Sequence, residues 1–236
     1  MMLFKGWQKT SLIEYPGKVS TVLFTPGCNF RCPFCYNTDL VLRPEKLPDI
    51  TGESVLRYLK ENRKLYQAVM VSGGEPTIHP GLEDFLGKVK GMGFLVGIET
   101  NGTNPDMLGR LLEGRTVDFV GMDIKAPLTW ERYRKAARIR DRSLFLNVKK
   151  SVRILLKSRI EYEFRTTVVP AVHKKEDVIQ IAKQIKGAKR YVLQKFVPGR
   201  TLDKRFAKRK PYTSGEMLEL KNRIEGYFGS CEARNV

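Results

Sequence analysis

The sequence predicts an α/β fold: a single domain over residues 1–236, built as a partial, open parallel (β/α)6 barrel. Short β-branched runs alternate with amphipathic helical patterns, which gives six βα units in series. Such units require parallel strands joined by right-handed crossovers, and six are too few to close an eight-stranded barrel. Because no linker divides the chain, we expect one core at about residues 19–199, followed by a basic loop and a C-terminal helix at residues 200–236.

The elements follow one another in the order that this fold requires. Apolar and β-branched runs predict six strands, at residues 19–25, 68–72, 94–100, 117–124, 160–169 and 190–196. Amphipathic spacing predicts six helices, at residues 51–65, 82–90, 106–112, 144–156, 176–185 and 214–227. The last helix is expected to close the chain. Polar signatures come directly after several strands, so the chemistry is expected at the carboxyl ends of the strands.

Three cysteines follow the first predicted strand with the spacing C-x3-C-x2-C: Cys28, Cys32 and Cys35. A 4Fe–4S cluster held by three thiolates on one loop keeps one iron open to another ligand. A structural zinc site wants four ligands, and a disulfide would leave one of the three cysteines over, so both alternatives are weaker but stay open. Cys231 lies in a polar tail and is expected to be a bystander.

Two further signatures follow later strands. Gly73 and Gly74 end the second strand, where a glycine pair permits a close backbone approach, although alone it is only a turn signal. Asp123 and Lys125 end the fourth strand two positions apart, so their side chains share one edge. They can form a salt bridge with each other, or they can bind the carboxylate and hydroxyl groups of a ligand.

Together, the cysteine spacing and the run Gly73-Gly74-Glu75-Pro76 resemble the radical S-adenosylmethionine superfamily. The resemblance implies a 4Fe–4S cluster on the three cysteines, with S-adenosylmethionine bound to the open iron. It also implies that Gly73 and Gly74 bond the amino group of the cofactor and that Glu75 supports the turn.

The resemblance narrows over residues 6–199. The segment at residues 9–18, Tyr36-Asn37, Thr100-Asn101-Gly102 and Asp123-Ile124-Lys125 resemble the activating enzymes of glycyl radical enzymes, most of all the archaeal-type activators of anaerobic ribonucleoside-triphosphate reductase. The implied cofactor-binding residues are Phe34, Tyr36, Gly73, Gly74, Glu75, Thr100, Asp123, Lys125, Arg165 and Phe196. Tyr36 stands where the family often has histidine, and the resemblance implies that its ring packs against the adenine. Arg165 is implied near the ribose and Phe196 near the adenine.

A monovalent cation site is also implied by this resemblance, at Glu99, Thr100 and Asp123. Glu99 replaces a shorter aspartate there. The implied partners are a glycyl radical enzyme, such as anaerobic ribonucleotide reductase, and an electron donor such as ferredoxin or flavodoxin.

The implied reaction cleaves S-adenosylmethionine reductively to a 5′-deoxyadenosyl radical, which installs a glycyl radical on the partner enzyme. Three alternatives stay open. One is a radical enzyme for a small molecule or nucleotide, similar to 7-carboxy-7-deazaguanine synthase. Another is a pyruvate formate-lyase activating enzyme, and the third is a zinc or cluster protein that binds nucleic acid through its charge.

Charge and composition limit the class of partner. Hydrophobic residues make up 42% and charged residues 29% of the chain, which is typical of globular proteins. The net charge is +18, and residues 199–211 carry six cations and one anion, while a second basic stretch covers residues 132–142. Such a charge is typical of a solvated surface or of a protein with an anionic partner, either a nucleotide, a nucleic acid or an acidic protein surface. Neither stretch has the interleaved aromatic residues of a nucleic-acid platform, so each is more typical of a solvated face, and charge alone does not decide the partner. No run of transmembrane length occurs, and an oxygen-labile cluster favours the cytoplasm.

Overall fold

The computed structural model describes residues 2–236. Its ten strands are β1 (Leu3–Phe4), β2 (Gly6–Ser11), β3 (Ser20–Thr25), β4 (Ile50–Thr51), β5 (Ala68–Gly73), β6 (Leu95–Thr100), β7 (Phe119–Asp123), β8 (Glu161–Val168), β9 (Arg190–Lys195) and β10 (Ser230–Arg234). Its eight α-helices are α1 (Thr38–Leu42), α2 (Gly52–Glu61), α3 (Leu82–Gly91), α4 (Pro105–Glu113), α5 (Trp130–Ala137), α6 (Arg142–Leu156), α7 (Lys175–Gln184) and α8 (Ser214–Ile224).

Eight strands form the principal sheet, in the order β10-β9-β8-β7-β6-β5-β3-β2, and β1 pairs with β4 separately. β3, β5 and β6 pair in parallel, as do β8, β9 and β10, whereas β2 lies antiparallel to β3 at one edge. The predicted α/β fold with an open, mostly parallel sheet is therefore confirmed.

The described residues fall into two compact units. The first unit contains the segment that ends at Asn29 together with Asp39–Thr100 and Asn104–Gly121. In this unit β3 and β5 are in register, with Thr25 opposite Gly73 at their carboxyl ends. The register places the start of the cysteine loop beside the glycine turn.

The second unit contains Phe30–Thr38, Asn101–Thr103 and Met122–Val236. Within it β8 pairs with β9, and α8 contacts both β9 and β10. The single domain expected from the sequence stays a prediction.

The carboxyl-terminal region differs from the prediction. The helix expected to close the chain ends at Ile224, and β10 follows it as a parallel edge strand. Gly229 allows this because a side chain there would lie 2.7 Å from the carbonyl oxygen of Lys189. The backbone N–H of Ser230 then donates to that same carbonyl at 2.9 Å. The expectation of a polar tail around Cys231 is therefore wrong, because Cys231 lies in β10, opposite Tyr191.

Other elements also depart from the prediction. α2 ends at Glu61 and not near residue 65. β2 and α5 were not expected, because both are rich in polar residues. α5 nevertheless buries Tyr133, Ala136 and Ala137 on one face, which is the spacing of an amphipathic helix.

No helix within residues 2–236 combines the length and the apolar character needed to cross a membrane.

Candidate functional site

The glycine turn after β5 is fixed by the loop that follows β3. Gly74 N–H donates to the carbonyl of Thr25 at 2.9 Å, in the first unit. A side chain on Gly74 would lie 1.6 Å from the carbonyl oxygen of Gly27, and one on Gly73 would lie 2.3 Å from the backbone nitrogen of Thr25. Gly73 also has a φ of +120°, which is unfavourable for a residue with a side chain. The glycine pair is thus required by the fold itself, in addition to any ligand.

Glu75 is a fully buried brace of this turn. One carboxylate oxygen accepts hydrogen bonds from Thr77 N–H at 3.1 Å, from the Thr77 hydroxyl at 2.5 Å and from the Thr100 hydroxyl at 2.7 Å. These bonds tie the turn after β5 to the end of β6. The role of Glu75 in a cofactor site stays a prediction.

The predicted cation ligands Glu99 and Thr100 end β6. The Ser72 hydroxyl donates to the Glu99 carboxylate at 2.5 Å, and Thr100 is buried with its hydroxyl bonded to Glu75. Within residues 2–236, no group of three His, Cys, Asp or Glu side chains is placed to hold a metal ion. The cation site and the ligand role of the cysteines therefore rest on sequence and family.

Cys28 is partly exposed at the start of the cysteine loop, in the first unit. Two contacts fix the backbone before it. Gly27 N–H donates to the carbonyl of Leu40 at 2.7 Å, and the His79 ring lies 2.8 Å from the carbonyl of Pro26, to which its Nε2–H donates. The bend that presents Cys28 is thus held from two sides.

Cys32 and Cys35 belong to the second unit, in a turn closed by Cys35 N–H on the Cys32 carbonyl at 3.1 Å. The segment after β9 holds this turn by its backbone. Leu202 N–H donates to the carbonyl of Cys35 at 3.0 Å, and Asp203 N–H donates to the carbonyl of Pro33 at 2.9 Å. The basic loop predicted at residues 199–211 therefore begins as a clamp on the cysteine loop.

Lys125 and Asp123 form an ion pair at 2.6 Å in the second unit. Burial opposes the charged form of Lys125, but Asp123 and the Cys32 and Cys35 thiols outweigh it and hold the pKa of Lys125 above its ordinary value. Burial raises the pKa of the Cys35 thiol, although a backbone hydrogen bond and the Lys125 charge oppose this. The structure thus brings the ion pair of Asp123 and Lys125 close to two of the predicted cluster ligands, Cys32 and Cys35.

His173 positions the backbone of Lys125. Its Nε2–H donates to the Lys125 carbonyl at 2.8 Å, while its Nδ1 accepts from Val169 N–H at 3.1 Å. Burial lowers the pKa of His173 to about 4, so the ring is neutral at physiological pH. The backbone N–H of Lys125 donates to the hydroxyl of Tyr133, which is also fully buried.

Tyr36 and Phe196, the two residues implied near the adenine, are stacked on each other. Their ring centroids are 5.9 Å apart and the planes differ by 12°. The Tyr36 hydroxyl accepts a hydrogen bond from Val197 N–H at 2.9 Å. Phe34, in contrast, is buried with its ring edge against His173, so its surroundings are those of a core residue. Phe196 is fully buried and Tyr36 is about half exposed, so the Tyr36 ring, backed by Phe196, offers the flat aromatic surface of the kind that stacks on a purine.

Arg165 is engaged in a buried ion pair with Glu163, whose side chain is fully buried on β8. Glu163 also accepts two hydrogen bonds from Arg234, at 2.9 and 3.0 Å, and Arg190 lies at 3.6 Å. Burial alone would raise the pKa of Glu163, but Arg165 and Arg234 hold it below its ordinary value. The predicted contact of Arg165 with a ribose stays a prediction.

The residues present suit an iron–sulfur cluster and S-adenosylmethionine. Free thiols supply the sulfur ligands that such clusters use. The glycine turn has no side chain that would block a ligand. S-adenosylmethionine is an amino acid joined to a nucleoside. Lys125 offers a cation for its carboxylate, Asp123 offers a carboxylate for its hydroxyl groups, and Tyr36 offers an aromatic ring for its base.

A family model described as the radical SAM superfamily matches residues 22–192, and the chain belongs to that superfamily. Its cofactors are accordingly a 4Fe–4S cluster and S-adenosylmethionine, and the protein is a radical SAM enzyme.

Two curated relatives differ in how much of the chain they match. A Methanocaldococcus jannaschii protein, named as a putative glycyl-radical enzyme activating enzyme, is 30% identical over 238 residues, covering 99% of this chain and 96% of that protein. The 7-carboxy-7-deazaguanine synthase of Neisseria meningitidis is 36% identical, but over only 78 residues, which is 33% of this chain and 34% of that enzyme.

Among solved structures, Streptococcus suis SuiB bound to precursor peptide SuiA superposes with a TM-score of 0.71 at 14% identity. The match covers 91% of this chain and 48% of SuiB, so this chain spans about half the length of SuiB. This likeness shows the fold alone.

Sequence reasoning missed several residues that support the site. His173, Asp203, Glu163 and Arg234 act through partners distant in the sequence, with separations of 48 residues for His173 and Lys125 and 71 for Arg234 and Glu163. No short motif marks them. One signal was available: a charged residue such as Glu163 within a predicted buried strand needs a partner of opposite charge.

Proposed function

We propose that this radical SAM enzyme activates a glycyl radical enzyme by taking a hydrogen atom from a backbone glycine of that partner. The observation that carries the proposal is the M. jannaschii relative, which aligns over nearly the whole of both chains. The deazaguanine synthase aligns over one third of each chain, which favours it less as a guide to the substrate.

In this proposal Cys28, Cys32 and Cys35 hold the cluster, and the Gly73-Gly74 turn receives the amino group of S-adenosylmethionine. When bound, the cluster supplies the electron that cleaves S-adenosylmethionine and so begins radical chemistry on the substrate. The turn's backbone is already fixed, so little rearrangement is needed to receive the ligand.

The remaining contacts orient the cofactor. Lys125 supplies a positive charge for its carboxylate, and Asp123 accepts from ribose hydroxyls. Tyr36 receives the adenine on its exposed ring, with Phe196 stacked behind it, and Arg165 lies near the ribose. Because the Lys125 side chain is only 17% exposed and is paired with Asp123, its ammonium group is held in one place, which favours a charge-assisted hydrogen bond over a loosely solvated one.

The finer assignments belong to the same proposal. Phe34 and Thr100 border the cofactor, and Glu99, Thr100 and Asp123 receive a monovalent cation. The partner is anaerobic ribonucleoside-triphosphate reductase, as the sequence resemblance implies. Ferredoxin or flavodoxin serves as the electron donor.

Isotope transfer tests this function. The anaerobically reconstituted protein, dithionite and S-adenosylmethionine are mixed with the reductase, whose glycine residues carry deuterium. We expect deuterium in 5′-deoxyadenosine and a glycyl doublet in the electron paramagnetic resonance spectrum of the reductase. Label from a free nucleotide, with none from the partner's glycine, would overturn the proposal in favour of a small-molecule substrate.

Lys125→Ala tests the proposed contact between Lys125 and the cofactor. We expect a loss of affinity for S-adenosylmethionine of roughly 10- to 100-fold, from a charge-assisted hydrogen bond of about 1.5–3 kcal/mol. Unchanged affinity, measured by equilibrium dialysis on protein with full iron content, would remove Lys125 from the cofactor site.

A further inference from the structure

The two basic stretches of the sequence meet around the cysteine loop in the second unit. Arg138, from the first stretch, forms an ion pair with Asp203, from the second, and Asp203 also binds Arg205 at 2.8 Å. Arg31, within the cysteine motif, donates its backbone N–H to the carbonyl of Ala137 at 2.9 Å. We call the cations of this region the basic collar; it comprises Arg31, Arg138 and Arg205, which make these contacts, together with Lys204, Lys208 and Arg209 from the second stretch.

The collar is attached directly to the cysteine loop. The hydrogen bonds from Leu202 and Asp203 to the carbonyls of Cys35 and Pro33 come from the residues just before its 3₁₀ turn, Lys204–Phe206. A partner bound to the collar would therefore lie against the backbone that carries Cys32 and Cys35.

The surface of the collar is positive with a small apolar area beside it. Lys204, Lys208 and Arg209 are exposed, and their side chains make no hydrogen bond or ion pair within residues 2–236. Asp203 does not offset this charge at the surface, because its side chain is only 10% exposed and already binds two arginines. Val197 and Tyr36 are about half exposed and linked by a hydrogen bond.

We propose that the basic collar is the docking surface for an acidic one-electron carrier protein, which reduces the cluster through the cysteine loop. The proposal rests on the proposed function only in placing the cluster on this loop. One electron leaves the reduced carrier and enters the cluster, and no bond forms or breaks.

Two physical arguments favour an electron carrier over the glycyl radical enzyme here. The rate of electron transfer between proteins falls steeply with distance. A carrier therefore reduces the cluster fastest when it binds next to the backbone segment that holds the cluster ligands. Transient electron-transfer complexes bury little area and depend on complementary charge for fast encounter. The exposed cations Lys204, Lys208 and Arg209, beside a small apolar area, provide that charge.

Charge reversal tests the proposal with two reductants. In the variant K204E/K208E/R209E, cleavage of S-adenosylmethionine driven by reduced flavodoxin, an acidic carrier, should fall by about 10-fold or more at low salt. Cleavage driven by dithionite, which needs no docking, should stay within about twofold of wild type, because none of the three residues is among the proposed cofactor contacts. Added salt should slow the wild-type flavodoxin reaction and leave the variant nearly unchanged.

A matched control separates the collar from total charge. K150E/R153E/K157E makes the same charge change on α6 and at the residue that follows it, where all three side chains are exposed and make no ion pair within the described residues. Its flavodoxin-driven rate should stay near wild type. An equal fall in both triple variants would overturn the proposal, since net charge alone would then set the rate.

Two other outcomes decide the matter. If the collar variant keeps its flavodoxin-driven rate but activates the reductase poorly under dithionite, the collar docks the glycyl radical enzyme and the proposal is overturned. If the triple variant loses iron, the single variant K208E gives the same readout with less disturbance. The readout is cofactor cleavage, so a failure to form a glycyl radical would contradict the proposed function and leave this test valid.

Discussion

The glycine turn after β5 and the second half of the cysteine loop are held in place by different forces. At the turn, backbone lies against backbone so closely that a methyl group on Gly74 would overlap the Gly27 carbonyl at 1.6 Å. The segment from Cys32 to Tyr36 is held by hydrogen bonds from residues after β9. The comparison teaches that substitutions at the turn should break the fold, whereas those around the loop should produce graded changes.

Gly74→Ala should have the largest effect. A clash with backbone has no flexible neighbour to relieve it, so we expect a loss of about 3 kcal/mol or more in the free energy of unfolding, measured by urea denaturation of the apo protein. Gly87→Ala is the control, because the exposed helical Gly87 has no atom within 4 Å of an added side chain. It should stabilise the protein by about 0.5–1 kcal/mol. Similar stabilities for both variants would contradict a sterically fixed turn.

Arg234→Met tests how far the second unit depends on charge. The pKa of Glu163 is held low in the folded state, so its charge adds stability that is complete above the ordinary glutamate pKa of about 4.3 and is lost as the pH falls through the lower folded value. Removing Arg234 should cost about 2–3 kcal/mol at neutral pH.

The pH dependence distinguishes this charge effect from lost packing. The difference in unfolding free energy between Arg234→Met and wild type should narrow as the pH falls below about 4, where Glu163 becomes protonated in both. Arg223→Met, which removes an exposed ion pair with Glu219 at 4.0 Å, should show little difference at any pH. A difference for Arg234→Met that stays constant with pH would indicate packing.

Glu75→Ala should have an intermediate effect on the glycine turn. It leaves the Thr77 N–H, the Thr77 hydroxyl and the Thr100 hydroxyl without their buried acceptor, at a cost of about 2 kcal/mol. Glu75→Gln keeps one oxygen for these donors and should cost less than about 1 kcal/mol. Thermal unfolding of both variants checks this, and equal losses would show that the negative charge matters more than the hydrogen bonds.

Tyr36→Phe should have the smallest effect. It removes only the acceptor for the exposed Val197 N–H, which water can replace, and keeps the ring stacked on Phe196. The dissociation constant for S-adenosylmethionine should change by less than about threefold, whereas Tyr36→Ala should weaken binding by about tenfold. Equal effects of the two substitutions would place the hydroxyl, and not the ring, in the cofactor site.

The sequence predicted the central strands well because their residues are apolar on both faces. β5, with its buried run from Ala68 to Val71, is such a strand. β2 and β10 were missed because edge strands carry polar residues and resemble loops. β10 also depends on Gly229 fitting closely against Lys189, which no local pattern reveals.

The candidate site was predictable where a motif is short and local. The structure does place Lys125 near Cys32 and Cys35, and it stacks Tyr36 on Phe196. The clamp by Leu202 was not predictable, because it uses backbone groups and carries no side-chain signature. The sequence predicted that Gly73 and Gly74 allow a ligand to approach the backbone. It did not predict that the loop after β3 also lies against these two glycines.

The most direct test of the central claim is the iron content and cofactor cleavage of the four single cysteine variants. The wild-type protein, reconstituted anaerobically, should bind about four irons and release methionine and 5′-deoxyadenosine with dithionite. Cys28→Ala, Cys32→Ala and Cys35→Ala should each lose both properties, and Cys231→Ala in β10 should keep both. Iron lost equally in Cys231→Ala, or iron kept in any of the other three, would contradict a catalytic cluster held by the C-x3-C-x2-C loop.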